Sequence, residues 1–143
     1  MSTDCIFCRI IAGEAPAHMV LEGPDVLAFL DIRPVFKGHT LVIPREHHVT
    51  LPDLPAESVT PFFSTVQTLS EVIPDALQAH GTFVAMNNVV SQSVAHLHAH
   101  VVPRRRKDGL RGFFWPRQRY AEGEASEYAA RIAAALPGDV TRP

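Results

Sequence analysis

The chain has 143 residues, 46% hydrophobic and 20% charged, close to the balance of an average globular domain. That length suits one domain able to fold without disulfides, and the composition excludes collagen-like and disordered classes. Net charge is only −2, yet residues 104–119 set seven cations (Arg104, Arg105, Arg106, Lys107, Arg111, Arg117, Arg119) against Asp108 alone, +6 there and −8 elsewhere.

Residues 5–12, CIFCRIIA, read as a short helix stopped by Gly13. Runs 18–22, 26–30 and 40–44 read as strands, and Gly23-Pro24 makes the first two a hairpin. Thr60 as cap and Pro61 as first helical residue predict a helix start. Phe62, Val66, Leu69, Ile73 and Leu77 then recur at helical spacing as a buried stripe, with a kink at Pro74. Strands follow at 82–87 and 95–102, then an alanine-rich helix at 124–136. This pattern argues for an α+β fold: a mainly antiparallel sheet of about five strands, one long helix and short terminal helices. Residues 1–143 are expected to form one domain, with 104–143 as its basic and aromatic extension.

Eight histidines are present, and His96, His98 and His100 stand at strict period two in HLHAHVV. On a strand all three project from one face, with Leu97, Ala99 and Val101 on the other. They cannot share one metal. The Cα atoms of His96 and His100 would lie about 13 Å apart, at ~3.3 Å per residue. Two imidazole arms of roughly 4.6 Å, each with a metal–nitrogen bond of about 2 Å, span that gap only if collinear, which tetrahedral geometry forbids. The three must therefore divide their labour.

Cys5 and Cys8 form a C-x-x-C pair with no room for the strand that precedes a thioredoxin-like motif. No apolar run approaches the ~18 residues of a membrane span. Asp4 and Arg9 interrupt the apolar core that a secretory leader needs. A cytoplasmic protein without a membrane partner is expected, and there a disulfide is disfavoured. Structural zinc needs two further ligands, which His47 or His48 and the first triad member, His96, could supply.

Four segments carry a family likeness in order along the chain: CIFCRIIAGEAPA (5–17), VLAFLDIRP (26–34), KGHTLVIPREH (37–47) and SQSVAHLHAHVVPR (91–104). Together they resemble the histidine triad (HIT) family of nucleotide hydrolases and transferases, and the first resembles the opening of its zinc-containing bacterial branch. The resemblance implies a HIT-like fold, a homodimer and structural Zn²⁺ on Cys5, Cys8, His47 and His96. It implies that His98 attacks the α-phosphorus of a purine nucleotide derivative to give a nucleotidyl-histidine, its other nitrogen held by a backbone carbonyl near His96. It makes His100 a phosphate ligand that supports the leaving group, and sets His39 beside the nucleophile. Asn87, Gln92 and Ser93 become the phosphate loop, Asp31 the ribose acceptor, and Ile6, Phe7, Ile10, Phe29, Leu30 and Ile32 the base slot or simply core. The loop before the triad is about two residues shorter than is usual in the family, with Ser91 in place of glycine, so either Asn87 or Asn88 reaches the phosphate.

The chain has no P-loop and no carboxylate pair at useful spacing, so Mg²⁺ is not required. Three other readings stay open. One is a zinc hydrolase with metal-activated water on two triad histidines. Another is a nucleotide-binding module without turnover. The third is nucleic-acid binding through 104–119, where Phe113, Phe114 and Trp115 lie among arginines. With Leu110 those aromatics could equally cover a second subunit or the substrate, so nucleic acid is the less favoured partner.

Overall fold

The computed structural model describes residues 4–111 and 116–140. Phe113, Phe114 and Trp115 lie outside the described residues. The chain divides into two compact units, one up to Asp108 and one from Gly109.

The first unit opens with α1 (Ile6–Ile11), followed by β1 (Met19–Glu22), β2 (Val26–Leu30) and β3 (Thr40–Pro44). A 3-10 turn at Leu51–Asp53 leads into α2 (Ala56–Leu77), then β4 (Gly81–Ala85) and β5 (Ala99–Arg104). The strands form one antiparallel sheet in the order β1-β2-β3-β5-β4. No helix among the described residues is long and apolar enough to cross a membrane.

Strand alternation sorts the core into two layers. Val26, Ala28, Val42, Ala99 and Val101 face one way and join the α2 stripe Phe62, Val66, Leu69 and Ile73. Leu27, Phe29, Leu41 and Ile43 face the other way and join Cys5, Phe7, Cys8 and Ile10 of the α1 region. Both faces of β2 and β3 are therefore covered, which is why these strands read as unbroken apolar runs.

Helix α2 begins at Ala56, not after Thr60. Thr-Pro is a generic start signal, but Leu54 is already buried in the α2 core layer, so the chain must turn before Pro55. Asp53 fixes that turn by accepting from both the backbone N–H and the hydroxyl of Thr50, at 3.0 and 2.8 Å. Pro61 and Pro74 both lie inside the helix, and the hydroxyl of Thr65 takes the Pro61 carbonyl at 2.8 Å. Leu77, expected in the buried stripe, is 38% exposed because the helix ends there.

Leu77 lies over Gly38, whose φ is +100°. A Cβ at Gly38 would stand 2.2 Å from the Leu77 Cδ1 and 3.4 Å from Pro103. Gly38→Ala is expected to cost about 1–2 kcal/mol, mostly backbone strain because the leucine tip can move. A shifted urea midpoint with unchanged slope would measure it.

Strand β5 starts at Ala99, not at residue 95. Its register with β3 ends at Val42↔Ala99, so the next residue of that phase, Leu97, would stand opposite Pro44. Pro44 has no N–H to offer, and its carbonyl lies 2.8 Å from Nε2 of His96. The Leu97 N–H turns instead to the carbonyl of His48, at 2.6 Å. Residues 96–98 keep the alternation of a strand without its ladder: His96, Leu97 and His98 are all buried.

At the far end of β5, Arg104 is held bidentately by Asp108, and Arg105 donates to the Leu77 carbonyl at the end of α2. Two of the clustered cations thus close a turn and cap a helix. In the second unit α3 (Glu124–Ala134) has no buried residue, and Tyr128 lies between the Tyr120 ring and the Arg131 guanidinium.

Candidate active site and metal centre

Hydrogen bonding fixes which ring nitrogens carry protons, because a carbonyl can only accept and an amide can only donate. His98 Nδ1 lies 2.7 Å from the His96 carbonyl. Nδ1 must hold a proton, so the neutral tautomer of this ring leaves Nε2 bare. The Val35 N–H donates to His39 Nδ1 at 3.1 Å. The proton of neutral His39 therefore sits on Nε2, which donates to His100 Nδ1 at 2.9 Å. By the same logic His100 carries its proton on Nε2. The site thus offers an unprotonated nitrogen from His98 and an N–H donor from His100, on rings whose centroids are 5.0 Å apart.

Burial lowers the proton affinity of His100, helped by the neighbouring His98 and His39, to a pKa of about 4. Burial likewise lowers that of His39, against the opposing pull of Asp31. Neutral rings make the tautomer chain stable at physiological pH. The sign for stability follows. The folded His100 refuses a proton that the unfolded chain accepts below pH 6.5. Its contribution is complete above that value and is lost as pH falls through about 4. Urea midpoints should decline over that window, and His100→Gln should flatten part of the decline.

His98 and His100 line a cavity of about 510 Å³. Phe7, Ile10 and Phe29 line it, yet all three are buried and serve the core as well. Ile32 is 82% exposed at its rim. Asp31 also lines it, with one carboxylate oxygen accepting from the Arg33 N–H at 2.8 Å and the other 3.7 Å from His39 Nε2.

Of the expected phosphate-loop residues, Ser93 lines the cavity and Asn87 and Gln92 do not. The amides of those two are engaged within the loop and with the segment after β3. Asn87 donates to the Ser91 carbonyl, and Gln92 bonds the Val49 carbonyl and the Val89 N–H. Asn88 accepts from the Leu51 N–H. Residues 15–17, Arg33, Leu41 and Val94 line the cavity too, and no motif in the sequence pointed to them. Arg33 could have been found from its place next to Asp31 and Ile32.

Ser91 has φ +61° and Val89 φ +72°, a region that favours glycine. Ser91→Gly is expected to raise stability by up to about 1 kcal/mol by relieving that strain, read as a higher thermal midpoint.

The two cysteines converge with His47 and His96 across α1, the segment after β3 and the segment before β5. Cys8 Sγ lies 3.2 Å from His47 Nδ1 and 3.6 Å from His96 Nδ1; Cys5 Sγ lies 3.6 Å from His96 Nδ1; the two Nδ1 atoms are 3.2 Å apart. Around a tetrahedral ion with bonds of about 2.05 Å to nitrogen and 2.3 Å to sulfur, such edges should be about 3.3 to 3.6 Å. His96 gives its Nε2 proton to the Pro44 carbonyl, so its Nδ1 is bare and available to a metal. Burial holds the His96 pKa down to about 4, so the ring is neutral, as a ligand must be. The donor set fits zinc. His48 stands apart and pairs with Glu46 at 3.2 Å.

Asp31, His39 and His100 also converge, but His39 spends both its nitrogens on Val35 and His100. Among the described residues, no group of three or more potential metal ligands contains two triad histidines.

The sheet with its two core layers, carrying a bare imidazole nitrogen beside an apolar cleft, defines a histidine-triad protein. The HIT domain model matches residues 12–107, and the chain belongs to that family. An uncharacterised HIT-like protein of Methanocaldococcus jannaschii is 44% identical over 73% of this chain and 82% of its own. An adenylylsulfatase of Arabidopsis thaliana is 35% identical over 77% of this chain and 57% of its own. An adenosine 5′-monophosphoramidase of Candida albicans is 32% identical over 78% of each. Among solved structures, a HIT-family protein from Bacillus subtilis superposes with TM-score 0.86 at 38% identity, covering 95% of this chain and 99% of its own. A Zn-bound histidine triad protein from Mycobacterium smegmatis superposes at 0.73 with 38% identity, covering 95% of this chain and all of its own.

Proposed function

We propose that this protein hydrolyses or transfers nucleotides by displacement at the α-phosphorus, through a nucleotidyl intermediate on His98. The observation that carries the reading is the 2.7 Å contact from His98 Nδ1 to the His96 carbonyl, which leaves Nε2 bare beside the cleft. The Nε2 lone pair forms the P–N bond as the bond to the leaving group breaks. The leaving group departs with that electron pair and takes up a proton from solvent, which the attacking water of the second step gives back. The His100 N–H donates to a phosphate oxygen meanwhile and steadies the charge that develops there. Water then adds its oxygen to phosphorus, the P–N bond breaks, and a nucleoside monophosphate is released. Two in-line displacements retain configuration at phosphorus.

The nucleoside would lie along Phe7, Ile10 and Phe29, with its ribose hydroxyls on Asp31 and its phosphate near Ser93. The two named relatives differ in leaving group, sulfate in one and an amine in the other, while both act on an adenylyl group. That supports a chemistry centred on phosphorus rather than on one leaving group. Cys5, Cys8, His47 and His96 would hold zinc, which would supply four metal–ligand bonds fastening α1 to the segment before β5 and would touch no reacting atom. The zinc-bound relative supports this reading. No step calls for Mg²⁺.

A homodimer belongs to the same proposal. Among the described residues β4 pairs with β5 alone and its Val84 is exposed, and such an edge favours cover. Sedimentation equilibrium tests that part, and a monomer at every concentration would remove it.

The test of the chemistry is rapid quenching followed by intact-mass analysis. Adenosine phosphoramidate, adenosine 5′-phosphosulfate and a diadenosine polyphosphate should all deposit one and the same adenylyl group on the protein. Products formed with no such adduct on any of the three, under conditions that preserve P–N bonds, would favour direct attack by water.

A further inference from the structure

The nucleophile's ring meets the His96 carbonyl, Phe7 and His100, and the first two are borne by the metal centre or its connecting turn. One is the His96 carbonyl, which fixes Nδ1 at 2.7 Å, while the side chain of the same residue points Nδ1 at both thiols. The other is Phe7. Its ring meets His98 at a centroid distance of 5.2 Å and an interplanar angle of 89°, and also meets His96 at 5.8 Å and 73°. Phe7 stands between Cys5 and Cys8 on the single turn those cysteines bracket, and Phe29 backs it at 5.4 Å.

A hydrogen bond alone leaves an imidazole free to rock about the N–H···O direction. An edge-to-face aromatic contact removes that freedom at modest energy. In-line displacement depends steeply on it, because a misplacement of about 1 Å can cost on the order of a hundredfold in rate.

We propose that Phe7 is a positioning residue for His98, and that Cys5, Cys8, His47 and His96, which would hold a metal, fix the orientation of the nucleophile through Phe7 and the His96 carbonyl. The metal centre then orients the nucleophile as well as holding the fold together. This rests on His98 being the nucleophile, as proposed above.

The experiment uses zinc-loaded full-length protein, wild type against Phe7→Leu, which removes the ring and keeps apolar bulk. Single-turnover adenylyl transfer at saturating adenosine phosphoramidate should fall about tenfold or more in the variant. Because Phe7 also lines the nucleoside slot, the dissociation constant for AMP should rise as well, but by less than the saturated rate falls, with zinc content at one per chain. If Phe7 served only as a wall of the base slot, AMP affinity would fall and the saturated rate would hold, which overturns the proposal.

A second readout does not involve turnover. The Nδ1–H proton of His98, assigned by its loss in His98→Gln, should give a protected low-field NMR signal in loaded wild type. It should exchange with water much faster in Phe7→Leu, and in metal-stripped protein that keeps its native amide dispersion. Equal protection in loaded wild type and Phe7→Leu overturns the coupling. If wild type forms no adduct at all, the nucleophile reading fails at that point, and the NMR comparison still decides whether the two sites are linked.

Discussion

His98→Ala is expected to lower turnover of an adenosine phosphoramidate by about a thousandfold or more, and to abolish the protein-bound adenylyl group. The size follows from what is removed. The cleft keeps its apolar walls, Asp31 and the His100 donor, so binding should persist and KM should move little. The bare nitrogen is lost, and water must then attack phosphorus directly. None of the other histidines around the cleft can take over in its present geometry. His39 Nδ1 is occupied by the Val35 N–H, and His100 Nδ1 accepts from His39. A variant that kept within about tenfold of the wild-type rate, or still carried the adenylyl group, would refute the mechanism.

Cys8→Ser is expected to lose zinc and to destabilise the fold by about 3 kcal/mol or more, lowering the thermal midpoint by about 10 °C or more. Cys8 is buried in the second core layer and its sulfur touches both candidate histidine ligands. Without an ion, two imidazoles, the Cys5 thiol and a serine hydroxyl remain packed without the bonds that would tie them together. The layer they belong to also contains Phe7, Ile10 and Phe29, so its loosening reaches the cleft. Elemental analysis and calorimetry on the same samples check both halves. A serine variant with full zinc and an unshifted midpoint would refute the four-ligand centre. His48→Ala should change neither quantity, since that ring pairs with Glu46 outside the cluster.

The parts of the site that alternate along a strand were readable in the sequence. Period two put His96, His98 and His100 on one face, and the buried Leu97, Ala99 and Val101 occupy the α2 side as that spacing requires. The reach of an imidazole limited how many could share one ion, and the structure brings His96 alone of the three to the cysteines. Strands β2 and β3 were readable because runs buried on both faces are apolar throughout. The start of α2 was not, because the burial of Leu54 is a tertiary fact and the local Thr-Pro signal outweighs it in sequence. Nor was the fate of Asn87 and Gln92. Their residue types suit a phosphate, but a loop with two left-handed residues uses the Asn87 amide within itself and the Gln92 amide to tie itself to the Val49 carbonyl. The tautomer of His100 depends on the Val35 N–H, two bonds away through another ring, and no pattern of residues announces that.

Pro44 has a consequence for how the catalytic segment behaves. Its carbonyl faces His96, so its nitrogen faces the same way and offers nothing where β5 would take its next backbone bond. Any other amino acid there could extend the pairing by a rung and draw residues 96–98 flat into the sheet. The His96 ring would then lose its acceptor, and the three histidines would be spaced by sheet geometry alone. One missing hydrogen thus keeps the segment before Ala99 unzipped, and that short unpaired stretch lets one ring turn toward sulfur while the next turns toward the cleft.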